Sequence, residues 1–125
     1  MKNRPLSPHL QIYKIQGTLL FSGTHRLTGV LLFFLLIAFS WYFILHVYFP
    51  ESSIVEYLSV LLSSVVVKLI CFFSFVSFTY HCLNGIRHLL WDMGVNLEIA
   101  EVSLSAMLLT LMLLFSSIVF LFVLI

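Results

Sequence analysis

Charge is scarce in this 125-residue sequence. Lys and Arg together number 6 and Asp and Glu 5, so charged residues make up 9% of the chain, against roughly 25% in ordinary soluble domains. With 62% of residues hydrophobic, too little polar sequence remains to cover a soluble core. The formal net charge of +1 and the lack of any run of Lys or Arg set nucleic-acid binding aside. Cysteine is nearly absent as well. Cys71 and Cys82 share one apolar stretch, about 16 Å apart along a helix and beyond the reach of a disulfide. Neither belongs to a C-x-x-C-H motif, which excludes a covalently attached c-type haem, and no pair has iron–sulfur or zinc spacing. Repeats, low-complexity linkers, Gly-rich phosphate loops and paired carboxylates are missing too.

What is present is long apolar sequence. Residues 27–49 and 102–125 contain no Lys, Arg, Asp or Glu, and residues 57–86 are broken only by Lys68. Each run exceeds the ~20 residues that a helix rising ~1.5 Å per residue needs to cross a hydrocarbon core of about 30 Å. The expected fold is therefore an all-α membrane protein. It has three transmembrane helices, at about 27–49, 62–88 and 103–125, preceded by a short inner-surface segment at residues 5–13, and the whole chain forms a single membrane-anchor domain. A helix buried in a large soluble core is the alternative, and the shortage of polar residues argues against it.

The N-terminal region does not read as a targeting signal. Pro5, Ser7, Pro8, His9 and Gln11 interrupt any apolar block of the secretory kind, and a transit peptide would be rich in Arg and Ser ahead of the first motif. Insertion is expected to rely on the spans themselves, which suits a bacterial gene or one carried in an organelle's own genome. Lys2, Arg4, Lys14 and Arg26 precede the first span and Arg87 closes the second, while the loop after the first span carries Glu51 and Glu56. By the positive-inside rule the N-terminus lies on the cytoplasmic or matrix side and the C-terminus outside.

Chemistry concentrates near the inner ends of two spans. In Tyr80-His81-Cys82-Leu83-Asn84-Gly85-Ile86-Arg87-His88, His81 and His88 are seven residues apart and fall on almost the same helix face, about 10 Å apart in depth. An imidazole in the apolar layer, a small residue that admits a flat ligand, and polar groups nearer water suit a b-type haem, whose iron takes a neutral imidazole and whose propionates need hydrogen-bond donors. A lone intramembrane His can equally bridge two helices through a hydrogen bond, but the accompanying Asn84, Arg87 and His88 favour function, because polar residues in membranes are costly. In the first span, Ser22 and Arg26 are four residues apart and share a face if the helix has begun by Ser22. Their hydroxyl and guanidinium suit a quinone carbonyl at the membrane boundary. By spacing alone, helix capping by Ser22 or Thr24, with Arg26 snorkelling to lipid phosphates, is the better account of them.

Three ordered motifs resemble one family. Arg4-Pro5-Leu6-Ser7-Pro8-His9-Leu10-Gln11-Ile12-Tyr13-Lys14, Ser22-x-x-His25-Arg26-x-Thr28-Gly29 and His81-x-x-Asn84-Gly85-Ile86-Arg87-His88-Leu89-x-Trp91-Asp92-x-Gly94 resemble the cytochrome b membrane-anchor subunit of succinate dehydrogenase, respiratory complex II, in its mitochondrial and alphaproteobacterial form. The resemblance covers essentially the whole chain. It implies a membrane subunit of succinate:ubiquinone oxidoreductase that binds haem b and helps form the ubiquinone-reduction site. The implied partners are a second small membrane-anchor subunit, an iron–sulfur subunit, a flavoprotein subunit and the lipid membrane itself. It further implies His81 as an axial ligand of the haem iron, Ser22 and Arg26 as quinone-site residues, and His25, Arg26 and His88 near the haem propionates. The implied location is the mitochondrial inner membrane, organelle-encoded, or the bacterial cytoplasmic membrane.

Spacing then constrains the second axial ligand. His46 is the only other His within a span and lies near the outer end of the first helix, roughly 20 Å from His81 in depth. His25 and His88 lie near the surface, so the other ligand is expected from a partner helix. The chain lacks a dinucleotide fingerprint, iron–sulfur cysteines and room for a flavin domain, so it is not expected to oxidise a dicarboxylate itself. Two other readings remain at this stage: a haem-free structural anchor for a peripheral enzyme, and a small carrier or channel subunit, for which the outer half of the chain offers little beyond His46 and Lys68.

Overall fold

A computed structural model describes residues 17–62 and 64–124. The expected inner-surface segment at residues 5–13 and the first of the three motifs lie outside them. The described residues form four helices and no strand: α1, Gly17–Tyr48; α2, Ser53–Leu62; α3, Val65–Asp92; and α4, Ile99–Leu124. Helices α1, α3 and α4 are long and apolar enough to cross a membrane. At ~1.5 Å per residue they measure about 48, 42 and 39 Å, more than the ~30 Å hydrocarbon layer, a surplus that tilt or projection into the headgroups absorbs.

The helix boundaries differ from the expected spans in an instructive way. The apolar run at residues 57–86 is not one helix. Its first part belongs to α2, which at 10 residues is about 15 Å long and too short to cross. Ser52 accepts a hydrogen bond from the Val55 backbone N–H (3.3 Å) at the start of α2. Ser64 then caps α3, its hydroxyl accepting from the Val67 N–H. A serine hydroxyl competes for backbone donors and so starts a new helix, yet flanking Leu and Val keep the averaged hydropathy high across the break. At the other end, Gly94 takes a left-handed backbone (φ 76°) and donates to the Trp91 carbonyl (2.9 Å), ending α3 as glycine does when a chain must reverse its twist. The Trp91 indole N–H donates to the Asn96 carbonyl (3.1 Å) and ties the turn to the helix. Trp91 and Gly94 of the third motif are thus turn-forming residues.

Helix α3 is central. It packs against α1 on one side and α4 on the other, whereas α1 and α4 make no close backbone approach. Both pairings are antiparallel: Phe21 near the start of α1 meets Tyr80 and Asn84 toward the end of α3, and Lys68 at the start of α3 reaches the Leu124 carbonyl at the end of α4 (3.3 Å). A cation at a helix C-terminus satisfies an otherwise orphan carbonyl. Phe75 and Phe120 stack across α3 and α4 with centroids 4.0 Å apart.

Burial runs opposite to that of a soluble protein. The buried residues among those described are Val55, Leu109, Asn84 (0% exposed) and Arg87 (4%), while Phe33, Phe34, Phe39, Trp41, Phe115 and Phe122 face outward. Lipid is as apolar as a leucine side chain, so outward aromatics cost nothing there, and the groups that must be enclosed are the polar ones.

Candidate functional site

Three imidazoles gather where the N-terminal half of α1 meets the C-terminal half of α3. The His25 and His81 rings lie face to face, 4.0 Å between centroids and 7° from parallel. His88 lies on the other side of His25, at 5.3 Å and 46°, and its ring meets Trp91 edge-on at 5.2 Å. One helical turn of α3 separates each neighbour on this stripe, and the 100° rotation per residue that aligned His81 with His88 also aligns Gly85 between them. The His25 ring occupies the space beside Gly85, so a flat ligand does not approach α3 at that point. His25 sits deep in the seam because α1 already runs as helix from Gly17, nearly three turns before the span start expected from hydropathy. Helix α1 thus contains Ser22 and Thr24 within it.

Hydrogen bonds determine which nitrogen of His81 is free. Its Nδ1 lies 3.1 Å from the His25 carbonyl oxygen and 3.2 Å from the Thr28 hydroxyl. A carbonyl oxygen can only accept, so Nδ1 carries the hydrogen, and in a neutral imidazole the lone pair is then on Nε2. That tautomer can ligate a metal through Nε2. Gly29 allows the approach: a Cβ built there would stand 3.0 Å from His81 Cε1, closer than side-chain contacts normally come. From this point a hollow of about 490 Å³ extends between α1 and α3, with His81 and Gly29 at one end and Leu32, Phe39, Phe75 and Phe78 along it. Two stacked rings cannot serve as opposite axial ligands of one iron, since opposite ligands point their nitrogens at each other through the metal. His46 stacks on Tyr42 (5.9 Å) and is separated from the cluster by roughly 30 Å of α1.

The remaining motif residues divide by role. The Phe21 carbonyl accepts from the Tyr80 hydroxyl (2.8 Å) and from Asn84 Nδ2 (3.0 Å), and the Tyr80 and Thr24 hydroxyls meet beside it. Asn84 is therefore a clamp between α3 and α1. Arg87 turns the other way. Its Nε donates to the Ser105 hydroxyl (2.9 Å) and its Nη2 to the Val102 carbonyl (2.9 Å) on α4, and its guanidinium lies over the rings of Trp91 (4.4 Å) and Phe21 (5.1 Å). It also lines a hollow of about 580 Å³ between the N-terminal ends of α1 and α4, with Thr18 and Ser103 on the walls. Ser22 is half-buried and Arg26 exposed, one turn apart on α1, and neither makes a hydrogen bond or ion pair to another described residue. Two buried atoms on the α1–α3 side also lack partners: His25 Nδ1 and Asn84 Oδ1. Thr28, Gly29 and Tyr80 acquire roles here that sequence spacing did not assign. Thr28 and Gly29 stand in the second motif, but their contacts depend on which helix faces them.

A three-span helical membrane protein with an imidazole cluster at one end of one helix seam is thereby defined. Residues 1–120 match the family model described as "Succinate dehydrogenase/Fumarate reductase transmembrane subunit", and the chain belongs to that family. The succinate dehydrogenase cytochrome b556 subunit of Rickettsia bellii (strain RML369-C) is 39% identical to it over 102 residues, covering 82% of this chain and 78% of the relative. The corresponding b556 subunit of Rickettsia prowazekii (strain Madrid E) is 42% identical over 103 residues, covering 82% and 77%. The succinate dehydrogenase cytochrome b560 subunit of Porphyra purpurea is 40% identical over 96 residues, covering 77% of each chain.

Proposed function

We propose that the chain is one membrane-anchor unit of a succinate:ubiquinone oxidoreductase, that His81 ligates the iron of haem b through Nε2, and that Ser22 and Arg26 bind the ubiquinone headgroup. The observation that carries this reading is the bond from His81 Nδ1 to the His25 carbonyl (3.1 Å), which leaves Nε2 as the ligating atom. The cytochrome names of the relatives support haem, and the residues present fit it. Apolar walls flank the imidazole, and the buried, unpartnered His25 Nδ1 is a group that a propionate carboxylate satisfies. His88 and Arg26 are the further groups on the inner side that hold propionates. Haem, when bound, supplies a one-electron carrier.

The chain's own residues orient the quinone. Arg26 donates a charge-assisted hydrogen bond to one quinone carbonyl and Ser22 donates a second, drawing electron density onto the oxygen that is reduced. Electrons arrive from an iron–sulfur subunit fed by a flavoprotein that oxidises succinate, and protons from the inner aqueous side. The second axial His comes from a second small membrane subunit. The N-terminus lies on the matrix or cytoplasmic side, in an organelle-encoded inner-membrane protein or a bacterial cytoplasmic-membrane one. The test is a reduced-minus-oxidised optical spectrum of the purified complex. His81→Leu removes or strongly alters the b-type bands and His46→Leu leaves them intact. An unchanged low-spin bis-imidazole spectrum in His81→Leu overturns the assignment, and the haem-free anchor then becomes the better reading.

A further inference from the structure

We propose that Thr28 is the positioning residue for His81: its hydroxyl, together with the His25 carbonyl, holds the Nδ1–H and so sets the direction and donor strength of Nε2. The proposal rests on the reading of His81 as iron ligand. The three atoms form a closed set in which each role is determined. The Thr28 hydroxyl is 2.9 Å from the His25 carbonyl, to which it donates. Its hydrogen is thus committed, and the lone pair 3.2 Å from His81 Nδ1 accepts. The same Nδ1–H is shared with the His25 carbonyl at 3.1 Å.

Back-bonding to the preceding turn is common for helical hydroxyls in this chain: Ser40 bonds to Leu36, Ser74 to Ile70 and Thr110 to Ala106. Thr28 differs in that, among the described residues, it is the one such hydroxyl that also contacts an imidazole. Two neighbours complete the restraint. Gly29 lets the ring come down onto α1, and the His25 ring, 7° from parallel, limits its rotation. A hydrogen bond donated by the distal nitrogen of a metal-bound His raises the basicity of the ligating one. More electron density on the iron favours its oxidised form, so removing the Thr28 acceptor raises the midpoint potential.

The experiment uses the intact purified complex and measures haem content, midpoint potential and the g-values of the oxidised low-spin haem in Thr28→Ala, Thr28→Ser, His81→Leu and the parent. Thr28→Ala is expected to keep haem, with its reduced-to-oxidised ratio at fixed potential raised by up to about tenfold, or about 59 mV for a one-electron couple, and with its g-values displaced as the ring gains freedom. Thr28→Ser, which keeps the hydroxyl, stays close to the parent. Parent-like potential and g-values in a haem-loaded Thr28→Ala overturn the proposal, and so does failure of that variant to assemble, which makes the hydroxyl a folding element. Those outcomes leave the ligand assignment standing. That assignment fails only if His81→Leu keeps the parent's spectrum.

Discussion

Helix α3 has two seams, and they are built differently. Toward α4 it presents Arg87, whose Nε and Nη2 donate to Ser105 and Val102 while its buried Nη1 has no partner, and Phe75, which stacks on Phe120. Toward α1 it presents Tyr80, His81, Asn84 and His88, and this side keeps unpartnered buried atoms on His25 and Asn84 and an apolar hollow beside His81. Unpaired polar atoms are expensive inside a membrane. Both seams carry such an atom, and the α1–α3 seam adds three imidazoles and a hollow that opens beside His81. On the proposed function, the α3–α4 seam anchors and the α1–α3 seam is the one that receives ligands.

The sharpest test of that division is functional. Arg26→Leu and Ser22→Ala are expected to slow reduction of a ubiquinone analogue by roughly a hundredfold, about 3 kcal/mol for a donor lost from a developing oxyanion. Arg26 is the more sensitive because its positive charge makes the stronger bond. Succinate oxidation with an artificial acceptor that bypasses quinone should be unchanged at equal amounts of assembled complex. A parallel fall in both activities, or in neither, makes these residues structural.

Arg87→Ala probes the opposite seam. It removes two bonds from a charged donor and leaves a void beside Trp91, a loss of about 3 kcal/mol in packing of α4. The thermal midpoint and yield of the detergent-solubilised complex should drop, while the ratio of quinone to artificial-acceptor activity per assembled complex stays constant. A changed ratio would place Arg87 in the quinone site instead.

Asn84→Leu is expected to cost less, about 1 kcal/mol. The bond to the Phe21 carbonyl is lost, but the carbonyl keeps Tyr80 as a donor and the orphan Oδ1 disappears with the amide. A thermal midpoint that falls as far as in Arg87→Ala would show the α1–α3 seam to be the main structural one. Smallest of all is Lys68→Met. The contact with the Leu124 carbonyl is exposed and lies at a helix C-terminus, so about 0.5 kcal/mol is at stake. A large loss of assembled complex in this variant would mean that the contact at the C-terminal end of α4 holds that helix more firmly than Arg87 does.

These contrasts show how far residue order reached. His81 and His88 were readable as one stripe because helical rotation aligns every seventh residue, and His46 was separable from them because rise per residue measures depth. The third motif also hid three jobs under one run of polar letters. Asn84 clamps α1, Arg87 staples α4 and Trp91 with Gly94 builds a turn, yet Asn84 and Arg87 had looked like company for a ligand. Their faces followed from rotation; the identity of the helix beside each face did not. The break at Ser64 escaped for a different reason, since hydropathy averages over a window and one capping hydroxyl among Val and Leu scarcely changes the mean.

By itself, then, the sequence determined the solvent and the three spanning helices. Apolar runs of this length belong in lipid, and lipid leaves helices as the form in which a single chain segment satisfies its own backbone. It also determined which residues were too costly to be incidental. Tertiary structure decided what each of them meets: that α3 lies between α1 and α4, that His25 stacks on His81, and that Thr28 and the His25 carbonyl hold Nδ1 so that Nε2 is free. Those outcomes depend on how helices dock around one another, and periodicity along a single helix carries no information about the neighbour across the seam.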